Sequence, residues 1–366
     1  MRSRAFLLAA ILLAGSQVTT VLGAISCVGY LPAGLAMPMD YSTIRLEFLT
    51  YLGGDMEDWL RDLIVDDVGN VWVLGYTEST NMELQNPIQE TYGGQGDALI
   101  ARFTPQHELE FCTYFGGNGM EYAMAFDLDN EGNLVVVGST QSSNFYILNA
   151  LQTELNGTSD AFVTKINPNG TILFSTYYGG SGEDSIDDLE VDSNGNYVMV
   201  GQTSSDDLDT NASVVQPTYG GGTSDIMLLS MASDGQSILL GSYLGGDEQD
   251  TATSVRLDGD GNIGIIGFTG NNDTVTPDAF QLEYGGGPTD TLIAKLTPNL
   301  DSLLWATLLG GDGWEFGSGI RFDSQNNVIV SGYTGSSDFP LQDQILPDSG
   351  SYDAFLARLN ETGSAL

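Results

Sequence analysis

Apolar and polar positions alternate in the same phase at five places along this chain. Leu63 and Val65, Phe126 and Leu128, Leu189 and Val191, Val255 and Leu257, and Ile320 and Phe322 are apolar. The residues between them are Ile64, Asp127, Glu190, Arg256 and Arg321. Period two with one apolar face predicts a β-strand, here called A. The first half of A is often small, as in Ala123 and Ala125 or Gly317 and Gly319, which suits a strand crowded near an axis. An Asx-rich turn follows, for example Asp192-Ser193-Asn194-Gly195-Asn196. Asx side chains cap such turns, and Gly, or Asn326 in the last copy, supplies a positive φ. The next run is apolar without alternation, as in Leu134-Val135-Val136-Val137. This predicts a strand B covered on both faces. After a connection of variable length come strand C, opened by Asp97, Asp160, Asp225, Asp290 or Asp353, a short turn, and strand D. No helical period appears, and the predicted class is all-β.

These units are tied to an invariant frame. Gly-Gly is followed by an acid at Asp58, Glu121, Asp184, Asp250 and Glu315. Eight residues on stands a second acid, Asp66, Asp129, Asp192, Asp258 or Asp323. Nine further stands Gly75, Gly138, Gly201, Gly267 or Gly332. Copies recur every 63 to 66 residues, the mark of a repeat architecture. The units are out of phase with the ends of the sequence. Residues 46–51 read as a lone D strand, close in sequence to residues 109–114, and the last C strand, residues 353–359, has no D after it. The expected fold is a five-bladed β-propeller of four-stranded antiparallel blades, with A innermost and the N-terminal strand completing the last blade. A parallel β-solenoid is the alternative, with shorter coils and no need for the phase offset.

The pattern Tyr-Leu-Gly-Gly, Asp, Val-Asp-x-x-Gly-Asn, Gly-Tyr-Thr and Asp-Ala-Phe resembles the bacterial SBBP-type β-propeller repeat, over residues 44 to 359. The resemblance implies an exported or cell-surface propeller and assigns no catalytic residues. It also implies seven blades, against five repeats in this chain.

The sequence opens with Met1-Arg2-Ser3-Arg4, an apolar run from residue 5 to 15, and small residues at Leu22-Gly23-Ala24. This predicts a signal peptide over residues 1–24, an irregular lead-in over 25–43 and one propeller domain over 44–366. The apolar run is too short to span a bilayer. Export to the cell surface or medium without membrane insertion is expected. Removing Arg2 and Arg4 from the ten basic residues leaves 8 against 49 acids, a balance of −41. Such a charge argues against nucleic acid and anionic lipid and favours cations or a salty medium. A monomer is expected. Cys27 and Cys112 could pair in an exported protein. Cys112 stands where other copies have Leu49, Ser175, Gly241 and Ala306, so it lies outside the repeat's common chemistry.

Candidate chemistry is limited to carboxylates. His107 is the single histidine and sits in a C–D turn, so neither a histidine-based triad nor a His/Cys metal cluster is expected. Asp58, Glu121, Asp184, Asp250 and Glu315 would form a ring about the axis as a candidate ligand site, or would each cap the adjacent Gly-Gly loop. Neighbours about 8 Å apart would repel by about 2 kcal/mol at an effective dielectric near 20, which hydrogen bonds, a cation or raised pKa values must offset. Asp127, Asp129 and Glu131, and Glu190, Asp192 and Asn194, alternate oxygen donors as short calcium loops do; a plain Asx turn is the alternative. Arg102, Lys165, Lys295 and Arg358 share one repeat position, which predicts an ion pair inside each unit. The expected function is a non-catalytic binding, adhesion or structural module. It would take glycan or protein on its variable B–C loops, which carry Tyr92, Tyr219 and Tyr284. The alternative is a carbohydrate-active enzyme with carboxylates near the axis.

Overall fold

The computed structural model describes residues 47–342, 344 and 350–366. The predicted signal peptide, the lead-in and Cys27 lie outside the described residues. The chain divides into a unit ending at Leu52 and a unit from Gly53 to Leu366.

The larger unit holds five antiparallel sheets. The first runs β1 (Asp58–Val65), β2 (Val71–Thr77), β3 (Asp97–Phe103), β4 (Leu109–Phe115). The second runs β5 (Glu121–Leu128), β6 (Leu134–Thr140), β7 (Asp160–Ile166), β8 (Ile172–Tyr178). The third contains β9 (Asp184–Val191), β10 (Tyr197–Thr203), β11 (Asp225–Met231) and β12 (Ile238–Leu244). The fourth contains β13 (Asp250–Leu257), β14 (Ile263–Thr269), β15 (Asp290–Leu296) and β16 (Leu303–Leu309). The fifth has three strands, β17 (Glu315–Phe322), β18 (Val328–Thr334) and β19 (Asp353–Leu359). Four sheets are ordered as they are read along the chain, A to D, and the fifth runs A to C. The first strands β1, β5, β9, β13 and β17 pack on one another in that order, so the A strands line the edge along which successive sheets come together.

Between successive sheets lies a hydrophobic core. Phe111 and Phe115 meet Phe126 and Val136 between the first two sheets. Val163 meets Ile186 and Met199 at the next interface, and Leu228 meets Val255 and Ile265 at the one after. Ile293 and Trp305 meet Ile320 and Val330 at the last. Strands β6, β10 and β14 are covered on both faces, as their unbroken apolar runs require.

The expected closing strand is not formed. Residues 47–51 carry no strand pairing, and the fifth sheet stops at β19. Each D strand of the first four sheets is hairpinned to its C strand by a short turn, which fixes its register locally. A lone N-terminal segment lacks that turn. Pairing with β19 would join segments far apart in the chain, with no hairpin to set the register. Sequence alternation reports a strand tendency and not the cost of reaching the partner.

Each A strand holds eight residues against seven on B. The extra residue is a bulge at Arg61, Met124, Asp187, Thr253 and Ser318. The bulge swings the preceding backbone onto the glycine of strand B. A Cβ on Gly75, Gly138, Gly201, Gly267 or Gly332 would lie between 1.8 and 2.2 Å from a carbonyl oxygen of strand A. This explains the glycine at that repeat position.

Candidate functional site

The first acid of each repeat lies at the start of its A strand and turns into its own sheet. Gly117 N–H donates to Glu121 at 2.7 Å, Thr140 Oγ1 donates at 2.6 Å, and the Ser142 hydroxyl also donates. Asp58, Asp184 and Glu315 have the same three donors at their own positions. In the fourth copy Asn271 replaces the serine. Thr269 donates to the Asn271 carbonyl, and Asp250 Oδ1 is left buried without a hydrogen-bond partner. Burial pushes the Glu121 and Asp184 carboxyls up, against these hydrogen bonds, and takes Asp250 to about 6. Four of the five have three donors apiece from their own sheet, so the Gly-Gly loops are tied by their carboxylates.

The C-strand acids form a second buried set. Asp97 accepts from Gln89 Nε2 at 2.8 Å and from Gly93 N–H at 2.9 Å, while Gln89 Oε1 accepts Gly116 N–H at 3.0 Å. Gln152, Gln216 and Gln281 repeat this bridge to Asp160, Asp225 and Asp290. The first glycine of Gly-Gly is wedged between the two acid sets. A Cβ on Gly116 would lie 2.3 Å from Glu121 and 2.8 Å from Asp97. Asp97, Asp225 and Asp290 each keep one buried oxygen without a hydrogen-bond partner. Burial, with the neighbouring first acid adding repulsion, pushes Asp97 and Asp225 up to about 6 and Asp290 up to about 7. Sequence reading missed these glutamines, although one precedes the C-strand acid by eight or nine residues in four copies.

The second acids cap the A–B turns. Asp129 Oδ1 accepts Glu131 and Asn133 N–H, and the equivalents do the same around Asp66, Asp192, Asp258 and Asp323. The turn residues with positive φ are Gly69, Gly132, Gly195, Gly261 and Asn326. The repeated base meets this acid in three copies: Lys165–Asp129 and Lys295–Asp258 at 2.7 Å, and Arg358–Asp323 at 2.5 Å. Arg102 departs from the pattern. It pairs with Glu110, lies 4.7 Å over the Trp72 ring and donates to the Pro168 carbonyl of the next sheet.

The six oxygen donors proposed for calcium are not brought together. Asp129 is taken by Lys165 and Asn133, and Glu131 by Asn133. Asp127 and Glu190 face the next sheet, where they accept Val191 and Leu257 N–H. Asp192 and Asn194 stay within their own turn. Among the described residues no group of three or more His, Cys, Asp or Glu converges as a metal site. The reason is the alternation itself, since strand residues and turn residues point to different sides.

Polar side chains of the A strands reach across to the next sheet. Asp188 accepts Ser254 Oγ, Val255 N–H and Arg256 Nη1 from the fourth sheet. Together with Asp127 and Glu190 it satisfies amides on the exposed edge of the next A strand, which nothing else in the sheet would pair. From the fourth sheet to the fifth the polarity reverses, and Thr253 Oγ1 donates to the Gly317 carbonyl at 2.7 Å.

Near the start of the A strands this face opens into a cavity of about 760 Å³, lined among others by Trp59, Arg61, Tyr76, Tyr122, Asp187 and Gln202. The Trp59 and Tyr76 rings are 5.5 Å apart, and Tyr76 and Tyr122 stack at 5.3 Å and 12°. Trp59 is 57% exposed. Asp187, the bulge residue of β9, takes a hydrogen bond from Ser185 Oγ at 2.8 Å, and desolvation pushes its carboxyl up to about 6. The loop tyrosines named from sequence do not present free rings in the same way. Tyr92 and Tyr219 pack on Tyr114 and Tyr243 of their own sheets, and the Tyr219 and Tyr284 hydroxyls donate to their own loops. Cys112 is a buried free thiol of β4, pushed up to about 11 by burial. His107 occupies a C–D turn with φ of 67°.

No family model matches the chain. Over 325 residues it is 23% identical to the regulatory protein FlaEY of Caulobacter vibrioides, a match that covers 82% of this chain and 32% of that protein. The chain thus spans about a third of the length of that relative. Among solved structures, it is similar to a protein of unknown function from Dyadobacter fermentans at TM-score 0.44 and 11% identity, covering 86% of this chain and 84% of that one. The polysaccharide lyase Uly1 gives TM-score 0.39 and 10% identity, with coverage of 82% and 57%. A xylan β-1,4-xylosidase from Bacillus halodurans gives 0.37 and 13%, with coverage of 84% and 53%. At these scores the likenesses assign no function.

Proposed function

We propose that the chain is an exported or cell-surface five-bladed β-propeller of the SBBP-repeat type, acting as a non-catalytic module that binds glycan on its inner face. The observation that carries the reading is the aromatic group Trp59, Tyr76 and Tyr122 at the mouth of the inner cavity. Sugar rings present C–H faces that stack on aromatic rings, and Gln202 and Asp187 beside them offer partners for hydroxyls. The acids common to every repeat are occupied by loops and turns, which argues against their use in catalysis. The charge of −39 argues against nucleic acid and anionic membranes as partners.

Ring closure is supported by two unpartnered faces. Leu63 is 42% exposed, whereas Phe126, Leu189, Val255 and Ile320 at the same position are buried against the preceding sheet. Leu356 is 78% exposed, whereas Ile100, Val163, Leu228 and Ile293 are buried against the following one. Packing the fifth sheet on the first would cover both.

Affinity electrophoresis in xylan, mannan and polygalacturonate gels tests the binding reading, with Trp59→Ala as the variant. Retardation of the wild type that is lost in the variant supports it. Release of new reducing ends or unsaturated products would replace it with the enzymatic alternative.

A further inference from the structure

The inner face carries a second aromatic group that the cavity does not include. Trp314 and Phe316 stack at 5.8 Å and 12°, Phe316 and Tyr333 stack at 4.9 Å and 28°, and Phe268 meets Phe316 edge-on at 4.9 Å. Trp314 is 44% exposed. Phe316 and Tyr333 hold the same repeat positions as Trp59 and Tyr76: the second residue of the A strand and its cross-strand partner on B. Both pairs therefore lie on the same face of their sheets. In the third sheet these positions are polar, Ser185 and Gln202, and Thr251 begins the same row on the fourth. Thr251 Oγ1 donates to Gln202 Oε1 across that step at 3.1 Å.

We infer that the face binds an extended, uncharged polysaccharide chain, with one sugar ring on Trp59–Tyr122 and another on Trp314–Tyr333. The inference rests on the glycan-binding reading above and deepens it. Trp59 and Tyr122 in one group and Trp314 and Tyr333 in the other present more ring surface than one sugar covers, so a chain of sugars can use both groups where a monosaccharide uses one. Aromatic rings on several sheets, with Ser185 and Gln202 of the third sheet in the same row, match a polymer that stacks at intervals and is hydrogen-bonded beside the rings. The acidic surface, with Glu183 and Asp187 at the cavity itself, disfavours a polyanion. Joining two weak stacking sites through one chain raises affinity without any new contact.

The test compares long-chain xylan and mannan with their short oligosaccharides by calorimetry, using the full chain, Trp59→Ala and Trp314→Ala, each first checked for an unchanged melting temperature. Trp59→Ala is expected to weaken short and long ligands alike. Trp314→Ala is expected to weaken only the long chains, by about tenfold, so that their advantage over short ones disappears. Should Trp314→Ala leave long-chain affinity intact while Trp59→Ala reduces it, the two-platform inference falls and the binding reading stands. Should the wild type bind none of these ligands, both fall.

Discussion

The carbonyl oxygen of Tyr122 lies 2.0 Å from the point where a Cβ would stand on Gly138. The bulge at Met124 brings strand A this close, and the contact is backbone, which cannot swing aside. Gly138→Ala is therefore expected to cost about 3 kcal/mol or more, read as a lower denaturation midpoint with an unchanged slope. Gly259→Ala is the control, since its Cβ would meet nothing nearer than 3.9 Å and it should be close to neutral.

The buried acids beside Gly-Gly should make the fold more stable in mild acid. Asp97, Asp225 and Asp250 are raised to about 6 and Asp290 to about 7 from an ordinary value of 3.8. A raised carboxyl binds its proton more tightly folded than unfolded. Its stabilising contribution is full below 3.8 and is lost as pH rises through 6 to 7. The melting temperature should climb as pH falls from 8 toward 5. The triple variant Asp97→Asn, Asp225→Asn, Asp290→Asn should flatten that slope. Asp129 and Asp258 are lowered, so the loss of their contribution lies below 3.8, outside this window. A melting temperature that falls between pH 8 and 5 would refute the assignment.

Lys165 joins Asp129 in its own sheet to the Ser233 carbonyl of the next, and both side chains of the pair are buried. Lys165→Met leaves the Asp129 charge uncompensated and should cost about 3 kcal/mol. Adding Asp129→Asn should recover part of it. Equal stability of the single and double variants would show that the pair is not coupled.

Ring closure has its own readout at Leu356. A charge on an exposed side chain is nearly free, whereas a charge at an interface between sheets is expensive. If the fifth sheet packs on the first, Leu356→Asp and Leu63→Asp should each lower the melting temperature by several degrees. Two unchanged values would mean that the faces stay open.

Much of this was legible from sequence because strands and Asx turns are local. The alternation around Leu63 and Val65 placed β1, and Asn326 in place of glycine foretold the positive φ of the last A–B turn. The order of strands followed from the small residues of A and the two-faced apolarity of B. The bulge was not legible, because Met124 and Asp187 look like any strand residue; its trace was Gly138 and its equivalents, whose reason lies on another strand. The inner-face contacts of Asp188 with Val255 and Arg256 join residues more than sixty positions apart, and no local pattern reports them. The aromatic groups were missed for a related cause. Trp59 and Phe316 share a repeat position with Ser185 and Thr251, so a reading that looked for what the copies have in common passed over where they differ.

The small residues on the inner strands have a consequence for how many repeats such a scaffold can hold. Every junction uses the same parts: a glycine wedged between two carboxylates, a capped loop, and a base or a turn reaching to the next sheet. None of these counts sheets. What counts them is the wedge angle between neighbours, and that is set by the bulk at the narrow edge. Ala123, Ala125, Ala252, Gly317 and Gly319 keep that bulk low on the A strands of the second, fourth and fifth sheets, which pack on their neighbours. In the ring proposed above, circumference would then be set by the difference in side-chain volume across each sheet, and trading alanine for valine at one edge would change it without touching a junction.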